Sequence, residues 1–343
     1  MCELVSVLVP AYNAERWLAA TMRSALAQAW PRVEVIVVDD GSRDATLAVA
    51  RTLEGKNVKV VTQDNQGAPA ARNHALSLAQ GRFIQWLDAD DLLHPQKIST
   101  QMRAASEVAD RFVLLSGPFG TFYHRPERAT FVPTTLWADL APVDYFLTRF
   151  NDNVFFQTGA WLTSRELTAA AGIWTDTHSP DDDGEYFCRV VAASQGVKFV
   201  KDSLAYYRVG NYRGVNKARS SRAETALFGS KVKCIGHLRA IEDSSRTRAA
   251  CVQLLQDWLP EFYPHRADIV TQARDLAHEL GGQLQTPKVR GKYRPIEWIF
   301  GYPAAVAAMR VLPRVRDQAA CKWDECVSRF TSSSGREPNL QQP

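Results

Sequence analysis

Between Leu4 and Asp91 short β-branched runs alternate with helical patterns, and three of the four runs end in a polar loop of distinctive composition. Repeated strand, helix, strand order calls for a parallel sheet with helices on its faces, because parallel neighbours need a long crossover connection. The pattern predicts strands at Val5–Val9, Val33–Val38, Val58–Val61 and Phe83–Leu87. Leu18, Met22 and Leu26 recur every fourth residue and predict an amphipathic helix opening after a capping Asn13. Further helices are expected over Ala45–Leu53 and Pro69–Ala79, the second ended by Gly81. The expected class is α/β: a mostly parallel, doubly wound sheet flanked by helices.

Beyond Phe112 the signal changes. Phe112–Thr135 reads as mixed strand and loop, Val154–Trp161 as a strand leading to a helix near Arg165–Ala171, and Phe199–Val209 as strand again. Ser179–Ala193 predicts a helix with Ser179 as cap, Pro180 in its first turn and Asp182 three residues after the cap. Beyond about Ser220 the chain is helical with a helical C-terminal appendage expected, and from Thr331 a Ser, Gly, Gln and Pro tail reads as disordered. A chain of 343 residues exceeds one ordinary core. The expected division is a main domain over 1–215 (halves about 1–110 and 111–215), a helical region over 216–330 and a tail over 331–343.

A net charge of +4 on 41 basic and 37 acidic residues gives no case for a nucleic-acid partner. Six cysteines without CxxC spacing fit neither a zinc site nor a disulfide framework, which points to a reducing, cytoplasmic setting. No run approaches the ~18 apolar residues of a spanning helix. Basic residues do interleave with aromatic and aliphatic ones over Lys288–Arg316, a pattern suited to peripheral contact at the inner face of a membrane. Pro295, Pro303 and Pro313 interrupt it, and packing on the main domain is the plainer reading.

In open sheets of this kind ligands bind beyond the carboxyl ends of the strands. The loops there are Pro10-Ala11-Tyr12-Asn13, Asp39-Asp40-Gly41-Ser42 and Asp88-Ala89-Asp90-Asp91. Asp88 and Asp90 stand two residues apart, so they can hold a hard cation, Mg²⁺ or Mn²⁺, whose other ligands are phosphate oxygens. The same acids also suit a solvated turn. Asp39 and Asp40 can accept from a nucleobase N–H or ribose hydroxyls, or serve as turn and cap residues. There is no GxGxxG after the first strand and no GxxxxGK[ST] anywhere, so phosphate charge must be met by metal and basic side chains. Trp161 offers a flat face for a sugar acceptor, Trp86 reads as core, and His74, His94 and His178 receive no role.

The runs VSVLVPAYNAERWL, VEVIVVDDGSRDAT, NQGAPAARNHAL and GRFIQWLDADDLLHP, in that order from Val5 to Pro95, resemble the nucleotide-binding half of the family 2 glycosyltransferases with the GT-A fold. The resemblance continues more loosely to about Arg208. It implies that Pro10, Ala11 and Tyr12 line the base and ribose pocket, with Asp40 on the nucleobase and Asp39 beside it. Gly67 and Arg72 match the segment that closes over the nucleotide. Asp88 and Asp90 match the metal-binding DxD pair, Asp90 as the direct ligand and Asp88 nearer the ribose.

Inverting members carry an acidic pair ahead of a helix, with an Arg six residues after the catalytic base. Counting back from Arg189 gives Asp183 as the base, although the pair here is Asp-Asp in place of Glu-Asp and Asp181 and Glu185 stand close by. A helix N-terminus also welcomes acids without catalysis, and would hold a carboxylate ionised. Tyr206-Tyr207-Arg208, followed by Asn211, Tyr212 and Arg213, resembles the family's aromatic-Arg segment, from which Arg208 or Arg213 would reach the diphosphate. The implied activity is inverting transfer from a nucleoside-diphosphate sugar, UDP-linked by family weight, to a hydroxyl of a carbohydrate or lipid-linked acceptor. A sugar nucleotidyltransferase would carry a Gly-rich basic loop where Pro10–Asn13 stands. A catalytically silent relative would not be expected to keep Asp88, Asp90 and Asp183.

Overall fold

The structure, a computed structural model, describes residues 2–108, 110–175, 179–210, 220–289 and 291–332. The first half runs β1 (Val5–Ala11), α1 (Leu18–Leu26), β2 (Val33–Asp39), α2 (Thr46–Arg51), β3 (Val58–Thr62), α3 (Ala68–Leu78) and β4 (Phe83–Trp86). It continues through β5 (Leu92–Leu93), α4 (Lys97–Val108), β6 (Val113–Ser116), β7 (Phe119–Phe122), β8 (Thr130–Phe131) and α5 (Pro142–Asp152). Next come β9 (Thr163–Ser164), α6 (Arg165–Ala171), α7 (Asp182–Ala193), β10 (Gly196–Phe199) and β11 (Ala205–Arg208). The helices α8 (Ser221–Ile241), α9 (Ser245–Phe262), α10 (Ala267–Glu279) and α11 (Arg294–Ser332) close the chain.

The main sheet has the order β3-β2-β1-β4-β9, its first four strands parallel and β9 antiparallel to β4. Side chains alternate across it. Leu8, Ile36, Val38, Ile84 and Trp86 enter one core, while Val7, Val9, Val35 and Val37 enter the other with α1 and α4. Both faces are therefore covered, which is why these strands read as continuous apolar runs. The first core continues without a break into α8, α9 and α10 through Leu238, Leu254, Leu259 and Ala273. A second sheet, β5-β11-β7-β8, begins with the short strand that directly follows the turn after β4.

Four local expectations are corrected. Asn13 does not cap a helix, since α1 opens at Leu18; with φ 49° it ties two loops, its N–H donating to Ser42 Oγ at 2.9 Å and its Oδ1 accepting from Arg43 N at 2.9 Å. Val154–Trp161 forms no strand but a 3₁₀ turn over Thr158–Ala160. Gln85, Gln101 and Lys97 hold the carbonyls of Gly159, Ala160 and Trp161 at 3.0, 3.1 and 2.9 Å, so the segment needs no neighbouring strand. Helix α7 opens at Asp182 with Asp181 as N-cap, and Ser179 Oγ instead accepts from Asp181 N at 3.1 Å. Finally, α11 bends at Gly301 and runs through Pro303 and Pro313 to Ser332, two residues into the expected tail. His178, Asn211, Tyr212, Arg213, Arg290 and the tail over 333–343 lie outside the described residues. Among the described residues no helix is long and apolar enough to cross a membrane.

Candidate active site

The turn after β4 is built by its own acids. Asp91 is 1% exposed, its two carboxylate oxygens accepting from Arg208 N at 2.8 Å and Gln157 Nε2 at 2.6 Å. Burial, with Asp90 and Asp88 close by, pushes its pKa well above the usual carboxylate range. Asp91 is thus the post around which the turn folds, and Asp88 and Asp90 remain partly exposed. Asp88 Oδ1 accepts from Arg72 Nη2 at 3.0 Å. Among the described residues no group of three or more His, Cys, Asp or Glu is poised around a metal. Two carboxylates in one turn still fit a hard cation that draws its other ligands from a diphosphate and water.

At the other end of the sheet edge, Asp39 and Asp40 are both buried, 2% and 3% exposed. Asp40 Oδ1 accepts from Gln63 Nε2 at 2.8 Å and Gln66 N at 2.9 Å, and its Oδ2 from Asn65 Nδ2 at 3.1 Å and Gly67 N at 2.8 Å. A carboxylate holding four donors has no capacity for a nucleobase, so the expected base contact of Asp40 is corrected to a loop-organising role. Asp39 Oδ2 accepts from Ser42 N and Thr62 Oγ1, whereas its Oδ1 is buried without a hydrogen-bond partner. Gly67, at φ 92°, leads into α3. Pro10 and Ala11 end β1 beside this loop, and Tyr12 is 44% exposed just beyond them.

Arg72, 6% exposed on α3, connects the turn after β4 to the acids of α7. Its guanidinium bridges Asp88 at 3.0 Å and Asp182 at 2.6 Å and lies 4.2 Å from the Trp174 ring centroid. Burial opposes its charge, yet the two carboxylates hold its pKa above the ordinary value. Next to Asp182, Asp183 sits in the first turn of α7, its Oδ2 3.4 Å from Thr158 Oγ1 and its Oδ1 accepting from Gly184 N at 2.8 Å. Burial first, then the nearby Asp181 and Asp182, raise the pKa of Asp183 to about 7. The expectation that the helix N-terminus keeps it firmly ionised is therefore corrected: desolvation and like charge outweigh the dipole.

The competing acids have other partners. Asp181 pairs with Lys231 at 2.5 Å, and Glu185, 2% exposed, pairs with Arg189 at 2.7 Å and His237 at 3.0 Å. Arg189 also donates to the carbonyls of Ala171 and Ile173, so it braces α7 against α6. Asp88 and Asp183 line one cavity of about 310 Å³, together with Gln157, Thr158 and Tyr207. Its opposite wall comes from the C-terminal helices: Glu224 of α8, Trp258 and Glu261 of α9 and Arg314 of α11. Asp324 of α11 accepts from His124 N at 2.9 Å and pairs with Arg125 at 2.6 Å, which fixes that helix to the main domain.

Two further expectations fail. Trp161 is 1% exposed, stacked on Phe187 with centroids 5.2 Å apart and 4.2 Å from Phe156, so it is core and presents no face to an acceptor. Arg208 is 6% exposed between the rings of Trp17 and Phe122, and donates from Nε to Asp90 O at 2.8 Å and from Nη1 to Tyr123 O at 2.6 Å. Burial lowers its pKa to about 10 despite Asp90 and Asp91. It is a brace for the acidic turn, not a free arm toward a diphosphate. The cavity wall from α8, α9 and α11 was not foreseen, because helical periodicity identifies a buried stripe without saying which cavity its edge meets.

Residues 6–170 match the sequence model of Glycosyl transferase family 2. TuaG of Bacillus subtilis strain 168, a glycosyltransferase named for teichuronic acid biosynthesis, is 36% identical over 139 residues, 37% of this chain and 55% of that protein. The chain thus spans about half the length of that relative. GlyG, a glycosyltransferase of Streptococcus pneumoniae serotype 4, is 25% identical over 296 residues, 82% of this chain and 96% of that one. Among solved structures, residues 1–349 of S. aureus TarS in complex with UDP superpose with a TM-score of 0.60 at 17% identity, over 90% of this chain and 91% of that one. The same TarS segment with UDP-GlcNAc gives 0.59 at 18% identity, over 84% of this chain and 95% of that one. The architecture is accordingly the GT-A fold.

Proposed function

The chain carries a glycosyl transferase family 2 domain over residues 6–170, and from that premise we propose that it is an inverting glycosyltransferase using a nucleoside-diphosphate sugar. What carries the reading is the Arg72 fork, which joins Asp88 of the DxD turn to Asp182, the neighbour of Asp183, at one cavity. The acceptor hydroxyl oxygen attacks the anomeric carbon while the bond from that carbon to the diphosphate breaks and its electron pair leaves with the phosphate oxygen. The hydroxyl proton passes to Asp183, whose pKa of about 7 suits a base working near neutrality. Asp90 and Asp88 would hold Mg²⁺ or Mn²⁺, which when bound neutralises charge on the departing diphosphate. Arg314 lines the same cavity and adds positive charge there. The UDP bound by TarS supports a uridine donor.

The test is thermal stability of the purified protein with UDP, dTDP, GDP and CMP sugars, with and without Mg²⁺ or Mn²⁺, since a ligand of the native state raises Tm. Stabilisation by one nucleoside diphosphate that needs the cation and is lost in Asp90→Ala is expected. No stabilisation by any of them would overturn the donor assignment.

Peripheral membrane contact is proposed for the start of α11, where Trp298, Ile299 and Phe300 are 93%, 67% and 71% exposed close to Lys292 and Arg294. Aromatic and aliphatic side chains beside basic ones suit an anionic bilayer surface. Co-sedimentation with phosphatidylglycerol vesicles, weakened in Trp298→Ala/Phe300→Ala and by salt, is the expected result; equal recovery with and without vesicles would remove the contact.

A further inference from the structure

Three cavities, of about 310, 180 and 340 Å³, share a single side chain as a wall: Trp258, on the C-terminal helix α9. The ring is held in place. Lys231 Nζ lies 3.6 Å from its centroid, and Lys231 is itself paired with Asp181, the N-cap of α7, at 2.5 Å. Trp258 is therefore coupled through two contacts to the helix whose first turn carries Asp183, and of the three cavities the one of about 310 Å³ is lined by both Trp258 and Asp183. Pro10, Ala11, Tyr12, Asp39, Asp40 and Gly67 do not line that cavity. Among the described residues Asp88 is the one assigned to the donor that does, so a molecule touching Trp258 lies away from the base and ribose and shares the cavity with the acidic turn.

The charge of the lining narrows what that molecule is. Among the described lining residues carboxylates predominate: Asp88, Asp181, Asp183, Glu224 and Glu261 stand with Arg314, and Asp88, Asp181 and Glu224 are ion-paired with Arg72, Lys231 and Arg266. Such a wall offers carboxylate oxygens as acceptors to hydroxyls. An indole face beside acceptor groups matches the chemistry of a pyranose ring, whose C–H face is apolar and whose edge is a set of hydroxyl donors.

We infer that Trp258 is the platform of an acceptor subsite for an uncharged sugar, with Glu261 and Glu224 at its polar rim. The inference rests on the glycosyltransferase reading for the word acceptor, but the sugar subsite itself is independent of the donor. It replaces Trp161, which the core has consumed, with a tryptophan whose ring borders open space.

Saturation-transfer NMR on the full chain tests it, in the presence of Mg²⁺ and UDP, with methyl glycosides of glucose, galactose and N-acetylglucosamine, and with glucuronate and glycerol 3-phosphate as anionic probes. At least one neutral glycoside is expected to receive saturation on its ring protons. Affinity should fall about tenfold or more in Trp258→Ala and be partly kept in Trp258→Phe, the scale of one lost stacking face. Nucleotide-induced stabilisation of Trp258→Ala should equal that of the parent, which also shows that the variant is folded. Binding of only the anionic probes, equal binding of the neutral sugars by Trp258→Ala, or no neutral sugar bound by a protein that a nucleotide does stabilise would overturn the subsite. Absence of nucleotide stabilisation with sugar binding still lost in Trp258→Ala would instead overturn the donor reading and leave the subsite standing.

Discussion

Arg72 is one guanidinium doing two jobs, and its planar fork is what makes that possible. One nitrogen reaches Asp88 and another reaches Asp182, with the Trp174 ring beneath. Lysine offers a point charge and cannot span both carboxylates with the same geometry. Arg72→Lys is expected to lower kcat/KM by about a hundredfold, the usual scale for a misplaced reacting group. Because Arg72 also lowers the pKa of Asp183, Arg72→Ala should move the acidic limb of the rate profile to higher pH. A profile unmoved in Arg72→Ala would separate the arginine from the base. Local order in the chain singled out Arg72, by its match to the family segment, and Asp183, by its spacing to Arg189, and the structure brings the two together through Asp182. The division of labour between Asp39 and Asp40 was not legible. It depends on where the amides of residues 63–67 return, and only the folded loop decides that.

At the scale of elements, the loop from Gln63 to Gly67 has no regular structure and is organised by one carboxylate. Asp40→Ala removes the acceptor of four donors, two of them backbone N–H groups, and should destabilise the protein by roughly 2 to 4 kcal/mol in urea unfolding. Loss below about 0.5 kcal/mol, the range of an ordinary surface change, would show that the loop holds itself. The 3₁₀ turn over Thr158–Ala160 is organised in the same manner from the opposite side, by Gln85, Gln101 and Lys97. Lys97 is fully buried, and burial lowers its pKa well below the ordinary value. These three residues explain why an apolar, strand-like sequence does not become a strand: its carbonyls are taken by side chains from β4 and α4. The parallel strands were legible because their alternation is written in consecutive residues. The turn was not, since its partners are some sixty or more positions away.

For the whole molecule, the decisive feature is that one core runs from the sheet into α8–α10, and that α8 and α9, with Arg314 of α11, complete the cavity holding Asp88 and Asp183. The sequence predicted a helical appendage; the structure makes that appendage a wall of the site. With Asp183 as the base of this assembled site, the pH dependence of turnover follows directly. Asp183 is protonated below its pKa of about 7 and cannot accept a proton, so kcat/KM should rise with pH and level off above about 7. In Asp183→Asn turnover should fall by a factor of about 10² to 10⁴ and the acidic limb should vanish, with nucleotide binding retained. The measurement to make is that profile in the parent and in Asp183→Asn, using whichever donor stabilises the protein. An acidic limb near neutrality that disappears with the carboxylate is the predicted result, and parental turnover with an unchanged limb in Asp183→Asn would contradict it.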